Sequence, residues 1–298
     1  MNIFKQKETT SENIAFIGIC SGLIAVISLI ASFFPLSNLF LPLIIPFFAC
    51  MPPLFCKKGY SYLFLFTSFA LSLIAGLYSI LDTIFFIFPS ILIGFAFGIC
   101  RKIKISESIL LFLLSLLELG LFYICLYLIK GIFSVDIGET ILSLIKQNKE
   151  GAKDALPLFY LAYSFAQVGL TALFLNFELP KLNLDKKSKD IPYLGECLSI
   201  VFGVVAMIIG LYVPWLGLLL LGLSSYWAIY SAINVFYSQK WYVYLSLGIL
   251  FFIGIFLFAY LYQFYLEKYG IILIGIVFIS FPISSLINEF SKLRKKEN

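Results

Sequence analysis

The residue whose type and position point most clearly to chemistry is Glu118. It lies near the middle of an apolar stretch from Ile109 to Ile129, and no Lys or Arg lies deep inside an apolar run to neutralise it. An ionisable side chain at that depth is costly to bury, so it marks a functional site by default. Two interpretations stay open: a neutral acid that hydrogen-bonds to another helix, or a contact to a polar or cationic ligand.

Two other stretches place polar side chains on one helical face. The first has Tyr160, Tyr163, Ser164 and Gln167 at helical spacing, and the second has Ser224, Trp227, Ser231 and Asn234. Such faces either join helices or line a binding site. For a ligand-binding site the sequence predicts the set Glu118, Tyr160, Tyr163, Gln167, Ser231 and Asn234.

These residues must be positioned by membrane helices. The chain has 298 residues, of which 61% are hydrophobic and 12% charged, whereas soluble domains are about half apolar and a quarter charged. The apolar runs are continuous and several approach the ~20 residues of a spanning helix, which favours helices over a barrel. We predict an all-α, polytopic transmembrane helical bundle of ten spans: 13–34, 38–56, 60–81, 83–100, 106–130, 156–177, 193–213, 215–237, 241–265 and 269–289.

Charge placement predicts the orientation. With the N-terminus in the cytoplasm, 16 of the 21 Lys and Arg residues fall in inside loops, leaving five outside. The positive-inside rule then places both termini in the cytoplasm of a multi-pass cell-membrane protein. The outside segment 131–155 has a helical pattern and would either lie flat at the interface or cap an outward-facing cavity.

Several kinds of chemistry are missing from the sequence. There is no His, no G-x-x-x-x-G-K-[ST] phosphate loop, and the six Cys have no paired spacing. Nucleotide hydrolysis, His-based catalysis and a metal site are therefore not expected. The net charge of +5 sits in loops, so we expect membrane lipid and not nucleic acid as a partner. We predict no enzyme and no cofactor, although a lipid-linked enzyme using Glu118 stays an alternative.

Three local patterns concern the early spans. Gly18, Gly22 and Ala25 form a small-residue stripe, which would pack internally or dock a separate membrane partner. The prolines of LFLPLIIPFFACMPPLFCKKGY predict either a harmless kink or a broken, short helix. Asp82, followed by Thr83 and an apolar run, is most simply the N-cap of span four.

The chain resembles known families at several of these motifs. ENIAFIGICSGLIAVIS, LPLIIPFFACMPPLFCKKGY and IGFAFGICRK resemble the substrate-binding (S) components of energy-coupling-factor vitamin transporters. The junction from Pro53 to Gly59, the end of span four and the tail YGIILIGIVFISFPISSLINEFSKLRKK are similar to the YybS-like family of bacterial membrane proteins, thought to be related to S components.

The span count predicts a cytoplasmic loop at 181–191 and a four-helix membrane part over 192–298, and the resemblance implies an S-component-like six-helix part over residues 1–180. It implies no ATPase activity, and docking of Gly18, Gly22 and Ala25 onto a transmembrane coupling subunit with ATPases. The function expected is capture of a small solute from outside. The alternative is a membrane scaffold protein of envelope assembly or division without a ligand.

Overall fold

The computed structural model describes residues 6–34, 40–101, 106–139, 152–178, 193–210, 212–237, 240–265 and 279–297. Every regular element in these ranges is helical. Five helices there are long and apolar enough to cross a membrane: Thr10–Phe33, Lys58–Ala75, Leu77–Cys100, Ser108–Phe133 and Leu156–Leu175. Four shorter apolar helices accompany them. The all-helical class is thus confirmed, and the length and composition of the helices indicate a membrane-embedded protein.

The chain divides into two compact units. Unit 1 comprises Met1–Thr140 and Tyr163–Asp190, and unit 2 comprises Ile141–Ala162 and Ile191–Asn298. The helices of unit 1 are α1 (Thr10–Phe33), α2 (Leu41–Phe55), α3 (Lys58–Ala75), α4 (Leu77–Cys100), α5 (Glu107–Phe133) and the second part of α6 (Ala152–Glu178). The predicted division at 181–191 falls on residues outside the described ranges and stays a prediction.

The start of α1 is fixed by local hydrogen bonds and by the end of α2. Thr9 and Glu12 form a reciprocal capping box. The buried Asn13 donates to the carbonyls of Lys7 and Thr9 and accepts a hydrogen bond from the backbone of Lys57. The N–H of Lys7 donates to the carbonyl of Phe55 at 2.9 Å. The segment before α1 is therefore tied to the α2–α3 turn.

The sequence predicted either a kinked helix or a broken, short helix for the proline-rich α2, and the structure has the broken helix. It begins as a 3₁₀ turn, Leu41–Ile44, and continues as an α-helix over Ile45–Phe55. It packs against α4, where Gly94 and Gly98 approach the backbone of Pro46 and Cys50. Because glycine has no Cβ, the two helix backbones come into direct contact at these positions.

The break between the third and fourth helices differs from the prediction. Helix α3 ends at Ala75 and Gly76 follows, so the break lies six residues before Asp82. Asp82 lies inside α4, where the Ser79 hydroxyl donates to its carboxylate and no capping bond to the backbone is made. Its predicted role as the N-cap of span four is wrong, because α4 begins at Leu77, five residues earlier.

Polar contacts stabilise the C-terminal end of α5. Ser134 adopts a left-handed conformation with φ 55°, and its N–H donates to the carbonyl of Lys130. The Lys130 ammonium then contacts the Asp136 carboxylate at 3.1 Å. This hydrogen bond lowers the pKa of Asp136 below its ordinary value. Residues 140–151 of the predicted interfacial segment 131–155 lie outside the described residues.

Unit 2 contains the first part of α6, α7 (Leu194–Gly210), α8 (Pro214–Tyr237), α9 (Trp241–Tyr265) and α10 (Ser280–Glu297). Helices α7 and α8 pack closely, with reciprocal hydrogen bonds between Ser199 and Ser224. Helix α10 continues eight residues beyond the predicted end of the last span at 289, through the charged tail to Glu297. The first part of that span lies outside the described residues.

Candidate functional site

Glu118 lies on the inward face of α5. Its side chain has 0% exposure, as have Ser115 and Phe122 on the same face, whereas Leu113 and Leu117 are about half exposed on the other. The Ser115 hydroxyl donates to the carbonyl of Leu111 in its own helix. Within the described part of the chain, neither carboxylate oxygen of Glu118 has a hydrogen-bond partner. A buried polar group in this state is unusual and needs an explanation.

Four aromatic rings form a closed set of contacts beside Glu118, which we call the aromatic quartet: Phe85, Phe86, Phe122 and Tyr163. Ring centroids are 4.8 Å apart for Phe85 and Phe86, and 5.7 Å apart for Phe86 and Tyr163. They are 5.8 Å apart for Tyr163 and Phe122, and 5.2 Å apart for Phe122 and Phe85. Phe122 lies one helical turn beyond Glu118, and Tyr163 lies within electrostatic range of the carboxyl group.

A π-helical turn in α4 directs two members of the quartet inward. Residues Thr83–Ile87 form this turn, and the N–H of Phe88 donates to the carbonyl of Thr83. Pro89 has no N–H to donate to the carbonyl of Phe85, which accounts for the wider turn at this point. Phe85 and Phe86 are both buried in this turn, with 0% and 5% exposure. Turns of this kind are frequent at functional sites.

Gln167 joins α6 to the broken helix α2. Its Nε2 donates to the carbonyl of Pro42 at 2.8 Å and to the Ser90 hydroxyl at 2.6 Å. Pro46 has no N–H for that carbonyl, which accepts a further hydrogen bond from the Ile45 N–H in the 3₁₀ turn. Since a carbonyl can only accept, the amide orientation is fixed. Its Oε1 is buried and has no hydrogen-bond partner among the described residues.

The predicted ligand-binding residues fall in two places. Glu118, Tyr163 and Gln167 belong to unit 1, with Gln167 one turn beyond Tyr163 on the same buried face of α6. Tyr160 and Ser231 belong to unit 2, where the Ser231 hydroxyl donates to the carbonyl of Trp227 within α8. Asn234 is part of α8, but its side chain lies outside the described residues.

The small-residue stripe of α1 separates into an inner and an outer part. The Ser21 hydroxyl contacts the hydroxyls of Thr67 and Ser68 on α3 at 3.1 and 2.9 Å. A Cβ added at Gly18 or Gly22 would meet nothing within 4 Å. Gly18 is exposed, and Gly22 and Ala25 are half-buried. The predicted docking residues Gly18 and Gly22 therefore have open space beside them in the described structure.

The sequence interpretation missed a second buried carboxylate, that of Glu196 in unit 2. It has 4% exposure and accepts a hydrogen bond from the Ser285 hydroxyl at 2.8 Å. Its position in the first turn of α7, only three residues after the predicted start of a span, made it resemble a surface residue at a helix end. The sequence interpretation also missed Phe85 and Phe86. Pro89 is the sequence signal for them, because a proline at this point indicates an irregular turn just before it.

Metal binding finds no support in the described residues, which contain no group of three or more His, Cys, Asp or Glu placed to hold an ion. The six cysteines are free thiols.

Comparison of the chain with protein-family models, curated proteins and solved structures gives no significant match. The family resemblance drawn from the sequence motifs therefore stays a hypothesis.

Proposed function

We propose that the protein is an integral membrane substrate-binding subunit that captures a small solute from outside, with both termini in the cytoplasm. The observation that carries the proposal is the Glu118 carboxyl group, which is fully buried and has no hydrogen-bond donor in the described structure. Leaving such a group unsatisfied in a low-dielectric interior costs free energy. A ligand that donates to Glu118 would offset this cost.

The alternative of a scaffold without a ligand requires Glu118 to be a structural acid. Glu196 shows how this chain satisfies such an acid, because the Ser285 hydroxyl donates to its carboxylate. The neighbouring Ser115 instead donates to its own helix and leaves Glu118 without a donor. The contrast between the two carboxylates favours ligand binding at Glu118.

A role as an enzyme has less support than one as a binding protein. General acid–base chemistry in hydrolases commonly pairs a carboxylate with a His or a second carboxylate, and the chain contains no His. The side chains identified around Glu118 are aromatic rings and the Ser115 hydroxyl, which is bonded within its own helix. We therefore assign Glu118 to binding and not to a chemical step.

The outer part of the α1 stripe is proposed as the docking face for a transmembrane coupling subunit with ATPases. Gly18 and Gly22 have no neighbour within 4 Å of an added Cβ, so another helix could approach the α1 backbone closely there. Ala25, one turn further, is half-buried and would extend this face. The coupling subunit itself is carried over from the resemblance to S components.

The function is tested with the purified full-length protein and the variants Glu118→Gln and Glu8→Gln. Native mass spectrometry of the parent should detect a retained small molecule, and Glu118→Gln should lose it. Glu8 is an exposed carboxylate before α1, so the same chemical change there should leave retention intact.

Melting temperatures separate binding from folding. Without ligand, Glu118→Gln should unfold within a few degrees of the parent, because a typical hydrogen bond contributes only about 1 kcal/mol. If Glu118→Gln and Glu118→Leu both retain the parent's bound molecule, or if the parent retains none and responds to no compound, the proposed function is wrong.

A further inference from the structure

We infer that the ligand of the Glu118 site is a small organic cation with N–H donors, that is, a protonated amine. The inference rests on the proposed function and specifies the class of solute. It comes from three features of unit 1: buried oxygens that have no donor, a fixed amide orientation, and the aromatic quartet.

The first feature is an excess of hydrogen-bond acceptors. Both oxygens of Glu118 and Oε1 of Gln167 are buried and without a partner among the described residues. Buried polar atoms are normally satisfied. A ligand that satisfies Glu118 must therefore bring donors, and an ammonium group brings up to three of them without any acceptor.

The second feature is that the Gln167 amide cannot rotate to present a donor in place of its unpaired oxygen. Its Nε2 is held by the carbonyl of Pro42 at 2.8 Å and by the Ser90 hydroxyl. The Ser90 hydroxyl in turn donates to the carbonyl of Phe86. Rotation of the amide would turn its oxygen toward the Pro42 carbonyl, placing two acceptors against each other. A ligand carboxylate or phosphate would find no donor from this amide.

The third feature is the aromatic quartet next to the carboxyl group. Phe85, Phe86, Phe122 and Tyr163 contact one another in a closed set. The faces of aromatic rings carry negative partial charge and attract cations, most strongly where water is excluded. Anions are repelled both by these faces and by an ionised Glu118. A buried carboxylate beside aromatic rings thus selects an organic cation over a neutral or anionic solute.

The test compares ligands that share a benzene ring and differ in charge, together with butylamine as a cation that lacks the ring. Full-length protein in detergent is titrated with benzylamine, phenethylamine and butylamine, which are protonated at neutral pH, and with benzyl alcohol and benzoate. At least one amine should raise the melting temperature, whereas the alcohol and the acid should not. Glu118→Gln should weaken amine binding by about 30-fold or more, as expected for removing one partner of a buried charge pair, and Glu8→Gln should bind like the parent.

A second pair of variants tests the aromatic contribution. Phe122→Leu removes one ring of the quartet, and it should weaken amine binding by about threefold or more. Phe97→Leu makes the same change at a fully buried Phe of α4 that is not part of the quartet. It should lower stability similarly and leave the affinity for the amine unchanged.

The outcomes separate this inference from the function on which it rests. If the protein retains or responds to a neutral or anionic molecule in a Glu118-dependent way, the binding function stands and the amine is the wrong class. If no amine stabilises the protein more than its neutral counterpart, or if Glu118→Gln binds the amine like the parent, the inference is overturned. If the parent protein responds to no ligand at all, both the binding function and the amine inference are overturned.

Discussion

Replacement of Gly94 by Ala should destabilise unit 1 because the two helix backbones touch at this residue. A Cβ at Gly94 would lie 2.6 Å from both the Cα of Pro46 and the Cβ of Ala49, and it would also meet the carbonyl oxygen of Pro46. Ordinary contacts at a Cβ are 3.4–4 Å. Helix α2 would therefore have to move away by about 1 Å, since backbone atoms cannot rotate aside as a side chain does.

The expected loss of stability follows from two opposing effects. Adding a methyl group to a closely packed interior costs about 1–3 kcal/mol, and more where backbone must shift. Ala gains about 1 kcal/mol over Gly inside a helix. We expect a net loss of about 2 kcal/mol from Gly94→Ala, which corresponds to a fall of about 5 °C in melting temperature for a chain of this size.

Gly18→Ala is the matched control. Gly18 is also inside a helix, but an added Cβ meets nothing within 4 Å. The same substitution should therefore leave stability unchanged or raise it by up to about 1 kcal/mol. Thermal unfolding of both variants is followed by tryptophan fluorescence in one detergent at one scan rate, because membrane proteins often unfold irreversibly. A Gly94→Ala protein that melts at or above the parent would refute the close approach of α2 and α4.

Three further predictions concern other parts of the molecule. Gln167→Leu should cost about 2 kcal/mol, because the two hydrogen bonds that its Nε2 donates are lost. Thr171→Val, which removes a single hydroxyl bonded within α6, should cost about 1 kcal/mol or less, and equal melting temperatures would show that the α2–α6 link is not stabilising. Gly22→Leu should reduce co-purification of a membrane partner without lowering the stability of the isolated protein, since the position has open space, and a fall in stability would instead place the stripe in internal packing. A reporter fused at Asn298 should score as cytoplasmic, and an exported reporter would contradict the charge-based orientation.

The helical class and the burial of Glu118 could be predicted from the sequence because both depend on local composition. Continuous apolar runs lead to helices in a membrane, and the polar face of α6 follows from the 3.6-residue period: Tyr160, Ser164 and Gln167 are all buried. Gly94 and Gly98, four residues apart, have the spacing typical of a close helix approach, and both meet the backbone of α2.

The rest of the site depends on contacts between distant segments, which no local pattern contains. The bond from Gln167 to Pro42 needs the three-dimensional arrangement of α2 and α6. The π-turn that contains Phe85 and Phe86 precedes Pro89, whose missing N–H removes one bond of a regular α-helix. Asp82 was assigned to a cap because Asp before an apolar run often is one, but Gly76 ends α3 earlier and moves the boundary.

The bond between Gln167 and Pro42 has a consequence for the order of biosynthesis. The acceptor precedes its donor by 125 residues, so the ribosome completes the first five helices before Gln167 exists. During that interval the Pro42 carbonyl accepts the hydrogen bond from the Ile45 N–H only. A nascent chain that ends after α5 would thus lack the side-chain link between α2 and α6 that the finished protein has. Unit 1 is a late-maturing part of the protein although its sequence begins at the N-terminus, and truncations that remove α6 should leave it incomplete.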